Sequence, residues 1–500
     1  MSYLSQISGR RGDASPRLVL IIVCAGVVLA SLDLFIVNVA LPDIARDLHV
    51  ANLGDLSWVL NAYAIVYASL LVLLGRLAES RRRDQGFLVG VTMFTAASAA
   101  CGAATSLPML VGFRIAQAVG AALLTPTSLS LVLATQRPEH RAGAVRAWAA
   151  VGGLAASLGP VIGGVLVAAS WRWVFLVNVP IGLAGLYVGW RRLPAVAGHP
   201  VPRPDALGAL LVTAGVAALT LGLVKGNDWG WGSAATLVAL VASLVALGLF
   251  ALRCARHHNP LIDPALFRVR AFTGSSVVAI LFSLAFGAML LSIVLWDQKV
   301  WGWSALQTGL AVAPGPLMVP VFSFLVAGRM IARYGPGRVI AVGATVYAAG
   351  ATWWTLSSGL TPDYVGQQLG GMLLTGIGVG LTMPTFISTG ASALPPQSFA
   401  TGSAVVNMLR QVGLAVGVAV LVAVIGTPGS STGELSAFRH GWMVIAGLSL
   451  SAAVAGALLL RPARPGVAGA AAGAAAGTAA GARAAAPLAD GAAPAEVRLT

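Results

Sequence analysis

The chain alternates between long apolar segments and short polar loops. An apolar segment of about 18 or more residues can cross the hydrocarbon core of a bilayer as a helix. Because unpaired backbone groups are costly in lipid, repeated segments of this kind predict an all-α polytopic membrane protein. We predict fourteen spans, with limits near 18–41, 56–74, 86–105, 107–134, 144–168, 173–190, 206–224, 234–252, 272–295, 305–327, 339–358, 363–388, 401–426 and 441–460.

The composition supports a membrane protein. The chain is 57% hydrophobic and only 9% charged over 500 residues, whereas a soluble protein of this length needs more charge to cover its surface. A net charge of +15 would also suit a nucleic-acid-binding protein. The basic residues, however, lie in short loops between apolar segments, as membrane topology requires. We therefore expect contact with a lipid bilayer and no nucleic-acid partner.

Positive charge is concentrated in every second loop. These arginine-rich loops lie within 76–83, 137–146, 191–203, 253–270 and 329–338. The opposite set has Arg46, Arg172, Lys225, Lys299 and Arg439. The positive-inside rule makes the first set cytoplasmic and places both termini inside. Abundant Arg and Ala with only two lysines suggest a GC-rich bacterial gene, so we expect a multi-pass protein of the inner or plasma membrane.

The chain also repeats itself. Gly75-Arg76-Leu77-Ala78 recurs as Gly328-Arg329-Met330-Ile331, and the segment Gly120 to Pro126 recurs as Gly378 to Pro384. Similar offsets at several places predict two homologous halves in parallel orientation. The predicted regions are a cytoplasmic N-terminus (1–17), an N-terminal six-helix half (18–193), two extra central helices (205–252), a C-terminal six-helix half (272–460) and a disordered Ala/Gly-rich cytoplasmic tail (465–500).

Two charged residues stand out inside the spans. Asp33 and Arg114 each cost about 2.5–3.5 kcal/mol at the centre of a span, so each requires a partner or a function. At 1.5 Å per residue, Asp33 lies about 12 Å and Arg114 about 10 Å below the outer end of its span. An ion pair is therefore possible. It is either a static structural pair or a proton switch, in which protonation of Asp33 releases Arg114.

The fifth span contains Gly159, Pro160, Gly163 and Gly164 in its apolar middle. Small residues allow membrane helices to approach closely, and a proline introduces a fixed bend. Ordinary packing of small residues is the simpler explanation. A bent and tightly packed helix in a many-helix bundle is also what a moving transporter requires.

Five segments together resemble the fourteen-helix drug:proton antiporters of the major facilitator superfamily. The matching segments are Leu32–Pro42, Arg114–Gly120, Gly159–Gly164, Trp171–Gly182 and Arg410–Gly413. In that family the second of these motifs is implicated in proton transfer, and the third marks antiporters. The resemblance, which covers about residues 18–460, implies a major facilitator fold with two six-helix halves and two extra helices. It also implies proton coupling by Asp33 and Arg114.

A cytoplasmic loop matches the family less well. The residues that correspond to the family's cytoplasmic gate are Gly75, Arg76, Glu79 and Arg83, and Glu79 stands where the family has Asp. The loop either gates or acts as a topology signal alone. Ala118, in the fourth-helix motif, replaces a usual Gly.

Several polar or aromatic residues are candidates for a substrate cavity, although each is equally compatible with packing. They are Asn38, Trp58, Asn61, Gln117, Asn407 and Arg410. At the outer edge of the ninth span we predict an interfacial aromatic belt of Trp296, Trp301 and Trp303, and a solvated carboxylate at Asp297.

Together these features predict a proton-coupled exporter of small apolar or weakly cationic compounds, with antibiotic efflux as its role. The alternatives are an importer or facilitator of a small metabolite on the same fold, and a membrane sensor or scaffold without transport. The sequence contains no phosphate-binding loop and no metal-ligand spacing. We therefore expect no enzyme activity, no metal and no cofactor beyond the proton-motive force. The expected partners are protons, a small-molecule substrate and lipid, and the protein is expected to be monomeric.

Overall fold

The computed structural model describes residues 15–80, 82–197, 205–394, 399–426 and 430–460. The predicted tail at 465–500 and nearly all of the predicted N-terminal segment lie outside these ranges. The described residues form helices and connecting loops without a β-strand. The α-helices are α1 (Pro16–Asp47), α2 (Leu53–Ser80), α3 (Arg83–Gly102), α4 (Leu107–Thr135), α5 (Pro138–Val167), α6 (Trp173–Leu176), α7 (Asn178–Arg192), α8 (Ala206–Trp229), α9 (Ala234–Arg256), α10 (Arg270–Leu295), α11 (Ala305–Val312), α12 (Pro314–Val321), α13 (Gly328–Tyr334), α14 (Pro336–Ser357), α15 (Gly370–Ser392), α16 (Phe399–Ile425) and α17 (Ser431–Leu459).

Thirteen stretches of the described residues are long and apolar enough to cross a membrane. The remaining predicted span, 144–168, lies in α5, which has several side chains outside the described set. The fourteen-helix prediction is therefore confirmed. The sixth span is divided into α6 and α7, and the tenth runs continuously through α11, α12, a π-helical turn and α13.

Helix ends follow from the local sequence. Ser15 precedes Pro16 and accepts a hydrogen bond from the backbone N–H of Leu18, so that α1 begins with a capped first turn. Ser304 and Gln307 form a reciprocal capping box at the start of α11. Gly335, with a φ of 81°, provides the sharp turn between α13 and α14. We call the helix ends that are predicted to face away from the cytoplasm the outer ends.

Glycines bring equivalent helices together in the two halves. An added methyl carbon at Gly120 of α4 would lie 2.6 Å from the Phe94 backbone nitrogen in α3. At the repeat position, a methyl carbon on Gly378 of α15 would lie 2.5 Å from Cβ of Tyr347 in α14. Two repeated segments therefore make the same kind of backbone-close helix contact, as expected for two parallel copies of one six-helix unit.

The extra helices α8 and α9 form an antiparallel pair at the edge of the bundle. Arg253 of α9 lies 2.7 Å from Asp205, the residue that caps α8. Burial raises the pKa of Asp205, but hydrogen bonds from the Gly208 N–H and Arg253 outweigh it and hold the pKa below its ordinary value. On α9, Val238 and Leu244 are 66% and 74% exposed, which suits a helix that faces lipid.

Helix α8 also contacts both halves at their outer ends. Its Lys225 forms an ion pair of 2.7 Å with Asp55 of α2. Its Asn227 donates a hydrogen bond of 2.9 Å to the Ala423 carbonyl oxygen of α16. The described residues up to Leu460 form one compact unit, so the boundaries given above for the halves and the central pair remain predictions.

The structure corrects two expectations at the outer end of α10. Trp296 and Trp301 are only 1% and 7% exposed, because their rings pack on each other and that of Trp296 also packs on Trp442 of α17. They are core residues, and the predicted interfacial belt is wrong for both; Trp303 alone of the three is half-buried. Asp297 is fully buried and is not a solvated carboxylate.

We predict that Gly120→Leu destabilises the protein strongly. The new side chain would meet the backbone of α3 at Phe94, so the two helices must separate and lose packing over their contact. We expect a loss of several degrees in the thermal unfolding midpoint of the purified protein in detergent.

Gly112→Leu is the matched control on the same helix, because no atom lies within 4 Å of its added methyl carbon. It should leave the midpoint nearly unchanged. Equal destabilisation by the two variants would contradict a specific role of Gly120 in α3–α4 packing.

Candidate functional site

Asp33 of α1 and Arg114 of α4 form an ion pair inside the bundle. Arg114 Nη1 lies 2.5 Å from Asp33 Oδ2, and both side chains are 0% exposed. Two charges removed from water are tolerated only when attraction and additional hydrogen bonds offset their desolvation. The remaining polar side chains around the pair provide those bonds.

Gln117 joins the two charges into a network. Its Oε1 accepts a hydrogen bond of 2.6 Å from Arg114 Nη1, and its Nε2 donates to Asp33 Oδ1 at 2.7 Å. The same Nε2 also lies 2.7 Å from the Ser98 hydroxyl oxygen of α3. Asn178, at the start of α7, adds a longer bond of 3.3 Å to Asp33 Oδ1. We call Asp33, Ser98, Arg114, Gln117 and Asn178 the Asp33 network.

The sequence alone does not single out two members of this network. Asn178 lies in the Trp171–Gly182 segment without a predicted role, and Ser98 is a single hydroxyl in an apolar span. Uncharged polar residues are common in membrane helices, so neither carries the signal that a charge does. The break between α6 and α7 places Asn178 at a helix start that faces Asp33.

The Arg114 side chain also contacts α2. Its Nε donates a hydrogen bond of 3.0 Å to the Val59 carbonyl oxygen, and its guanidinium lies 4.1 Å from the centre of the Tyr63 ring. Cation–π contacts of this kind stabilise a cation by about 0.5–2 kcal/mol. Nη2 has no hydrogen-bond partner among the described residues.

A small cavity adjoins Arg114 between the two halves. Asn38, Asn61 and Arg114 provide its polar wall, and α10 and α16 provide an apolar wall through residues such as Leu290 and Leu414. Its volume is about 30 Å³, whereas ligand sites usually measure about 300–1,000 Å³. This volume has room for about one or two water molecules. The cavity is therefore nearly closed in the conformation described.

Four of the six predicted cavity residues lie elsewhere among the described residues. Gln117 is buried in the Asp33 network, and Trp58 packs half-buried against the core near the outer end of α2. Asn407 donates a hydrogen bond to the Ser403 carbonyl oxygen of its own helix. Arg410 of α16 interacts electrostatically with Tyr67 of α2.

The glycines of α5 contact two different helices. An added methyl carbon at Gly159 would lie 2.8 Å from Cβ of Phe35, and one at Gly163 would lie 3.0 Å from Ile36, so this face packs on α1. An added methyl carbon at Gly164 would lie 2.7 Å from the Ala305 carbonyl oxygen of α11. One helix therefore packs closely against both halves.

Pro160 and Gly309 continue this contact. A methyl carbon added to Gly309 of α11 would lie 2.5 Å from the Pro160 carbonyl oxygen. Nearby, Gln298 donates a hydrogen bond of 3.1 Å to the Val39 carbonyl oxygen of α1. We call these three contacts, Gly164 to Ala305, Pro160 to Gly309 and Gln298 to Val39, the outer seam, since all lie towards the outer ends of their helices.

The predicted cytoplasmic gate is spread over several contacts. Arg76 donates a hydrogen bond of 3.1 Å to the Pro260 carbonyl oxygen, in the segment that leads into the C-terminal half. Arg83 donates to the Ser130 carbonyl oxygen of α4 at 3.4 Å. Gly75 packs near Pro126, where an added methyl carbon would lie 3.3 Å from Cβ of the proline. The Glu79 side chain lies outside the described set.

Known proteins resemble the chain over most of its length. The family model described as Major Facilitator Superfamily matches residues 23–418. The chain is 35% identical to the cephamycin export protein of Amycolatopsis lactamdurans, covering 90% of this chain and 92% of that one. It is 33% identical to the tetracenomycin C resistance and export protein of Streptomyces glaucescens, covering 83% and 76%.

Solved structures show the same fold. An auto-inhibited peptide transporter of the POT family superposes with a TM-score of 0.66 at 17% identity, covering 89% of this chain and 97% of the other. A bacterial homologue of the lysosomal transporter Spinster, in an inward-facing conformation, gives 0.62 at 16% identity, covering 90% and 98%. The helix packing, the repeated glycine contacts and the family match over most of the chain agree, and the chain belongs to the Major Facilitator Superfamily.

Proposed function

We propose that this transporter is a proton-coupled exporter of antibiotics or chemically similar small molecules. The observation that carries the proposal is the fully buried Asp33–Arg114 pair at the wall of a cavity between the two halves. Relatives over most of the chain are named for the export of cephamycin or tetracenomycin C, which supports export over import. The chain is a transporter and not an enzyme.

The Asp33 network provides a way for a proton to change the cavity wall. Ionised Asp33 accepts hydrogen bonds from Arg114, Gln117 and Asn178, and its charge neutralises the guanidinium. Protonation removes that charge and leaves Arg114 as an unpaired cation beside the cavity. Because an unpaired buried charge is costly, Arg114 then moves towards water or a new partner. A proton thereby changes both the charge and the shape of the cavity.

The charge of the cavity wall favours neutral or singly cationic substrates. The charged residue among those that line the cavity is Arg114, and Asp33 neutralises it. The described lining therefore offers no free carboxylate to attract a dication. One proton that enters against one neutral molecule moves one net charge inward. This movement contributes about 2.3 kcal/mol per 100 mV of membrane potential. We further propose that the transporter is a monomer in a bacterial inner or plasma membrane, with both termini in the cytoplasm.

Transport by purified protein in liposomes tests the proposal. With a relative's substrate, such as tetracenomycin C, we expect uphill movement that requires an imposed pH gradient or membrane potential. A protonophore that collapses both should stop it. Accumulation that continues after the collapse, or that requires ATP, would contradict proton coupling. Movement only down the substrate gradient would favour the facilitator, and no movement of any tested compound would favour the sensor or scaffold.

Asp33→Asn should abolish uphill export and leave the protein folded in the membrane. Asn preserves the shape of the side chain and several hydrogen bonds, but it cannot exchange a proton. The measurement is drug resistance of an efflux-deficient bacterial host, together with the amount of protein in its membrane.

The control is Asp363→Asn, which removes an exposed carboxylate that caps a helical turn. Asn caps nearly as well as Asp, so this variant should retain resistance. Wild-type resistance in the Asp33→Asn host would remove Asp33 from the coupling role.

Gly164→Leu should stop transport by separating α5 from α11. The new side chain would collide with the backbone of Ala305 and Leu306. A single added methyl carbon would already lie 2.7 Å from the Ala305 carbonyl oxygen and 3.0 Å from Cα of Leu306. We expect the outer seam to remain open and the initial rate of export to fall at least tenfold. Rates should be measured in liposomes at equal protein content.

Val165→Leu is the matched control, because Val165 is 56% exposed on the same helix turn. It should transport at nearly the wild-type rate. If Gly164→Leu also transports normally, close packing at the outer seam is not required for the cycle.

A further inference from the structure

A second buried carboxylate lies in the C-terminal half. Asp297 is 0% exposed and belongs to a π-helical turn, Trp296–Val300, that extends α10. Its Oδ2 accepts one hydrogen bond, from Gln368 Nε2 at 3.0 Å. Its Oδ1 has no hydrogen-bond partner among the described residues, and none of their ion pairs includes Asp297. Unlike Asp33, this carboxylate has no ion-pair partner within the part of the chain that the structure describes.

The partner of Asp297 can satisfy either protonation state. Gln368 is 1% exposed and lies on a second π-helical turn, Tyr364–Leu369. Its Nε2 donates to an ionised carboxylate, whereas its Oε1, which lacks a partner among the described residues, can accept from a protonated one. Rotation of the amide converts one arrangement into the other. Single π-helical turns of this kind are frequent at functional sites.

The surroundings favour the neutral form while the site is closed. The preceding residue on the same turn, Trp296, packs on Phe438 and Trp442 with ring centres 5.3 Å and 5.1 Å apart, so the turn begins in a buried aromatic cluster. A buried carboxylate without a cation is several kcal/mol less stable than one in water. Asp297 therefore loses its charge when it is enclosed and regains it when water reaches it.

Charged and titratable groups on the neighbouring elements do not compensate it. They are Lys299 on its own turn, Tyr364 on the turn of Gln368, and Glu434, Arg439 and His440 on α17. Lys299 and His440 are exposed. Arg439 donates to the Ser358 carbonyl oxygen at 2.8 Å, and the Tyr364 hydroxyl donates to the Ala311 carbonyl oxygen at 2.9 Å. Among the described residues, none of these groups forms an ion pair with Asp297.

The Asp297 turn is connected directly to the outer seam. The next residue, Gln298, makes the hydrogen bond to Val39 of α1. The Asp297 carbonyl oxygen accepts a bond of 2.9 Å from the backbone N–H of Trp303, just before Ser304 caps α11. Helix α11 in turn carries Ala305 and Gly309 against α5. Opening of the outer seam therefore breaks the hydrogen bond that holds this turn to α1.

We propose that Asp297 is a second proton-binding site, separate from Asp33, which takes up a proton from the outer side as the outer seam closes. Closing buries the carboxyl group and favours its neutral form, so an acidic exterior favours the closed seam. An alkaline exterior favours the open seam, in which Asp297 is ionised and hydrated. Only the role of Asp297 in transport rests on the proposed exporter function. The proton-binding site itself is inferred from the buried carboxyl group and its contacts.

Distance measurements across the outer seam test the site without transport. Spin labels are placed at the exposed loop residues Ala51→Cys and Thr361→Cys, with Cys24, Cys101 and Cys254 replaced by alanine. In an Asp33→Asn background we expect the distance distribution to shift from closed to open with rising pH in one step. Adding Asp297→Asn should abolish that step and leave a closed population at every pH, since Asn provides both a donor and an acceptor to Gln368.

The control adds Asp363→Asn in place of Asp297→Asn and should leave the step unchanged, since that carboxylate is exposed near the same outer end. A step that persists with Asp297→Asn, or that is absent from the Asp33→Asn background, would overturn the proposal. Thermal unfolding midpoints within a few degrees of each other show that all variants are folded.

Transport separates this proposal from the exporter proposal. Asp297→Asn should retain uphill export driven through Asp33. At a constant imposed pH gradient, however, its export rate should no longer change over the external pH range in which the distance step occurs. Complete loss of export in this variant would instead make Asp297 an obligatory coupling residue and overturn the proposal. If the wild type itself moves no substrate, the exporter function fails, while the distance measurement still decides the proton site.

Discussion

The bundle is organised around the cost of holding a charge pair in a medium without water. Asp33 and Arg114 can remain ionised inside the membrane only if each retains several hydrogen bonds, and five helices contribute to this. Helices α1, α2, α3, α4 and α7 must therefore keep a fixed spacing near their outer ends. The same requirement makes the site responsive, because one added proton removes the charge for which the surrounding groups are arranged.

Close helix contacts supply that spacing. Within a half, Gly120 brings α4 against the backbone of α3, and its counterpart Gly378 does the same for α15 and α14. Between the halves, Gly164 and Gly309 allow α5 and α11 to meet without intervening side chains. Contacts between backbones are rigid and have few intermediate arrangements. The halves are therefore expected to meet or part along α5 and α11.

The sequence predicted the features that carry a strong physical signal. Membrane spans are visible because of their length and apolarity, and Asp33 and Arg114 because charge is rare there and their depths match. Ser98 and Asn178 were missed since uncharged polar residues carry no such penalty. The burial of Asp297 is not visible in the sequence, because the end of an apolar run does not reveal that a π-helical turn continues the helix and places the carboxyl group against Gln368. Gln117 was likewise predicted to line the cavity, because its hydrogen bonds to Asp33 and Arg114 depend on how the helices pack and are not visible in the sequence.

The position of α8 makes the two sides of the interface between the halves unequal. On one side, α8 bridges α2 and α16, with Lys225 and Asn227 holding the two halves, and α9 shields it from lipid. On the other side, α5 meets α11 and α12 without a comparable pair of helices among the described residues. A hydrophobic molecule dissolved in the bilayer therefore meets a wall on the first side and a bare helix junction on the second. A substrate that enters laterally from the membrane would therefore enter between α5 and α11, on the side opposite α8.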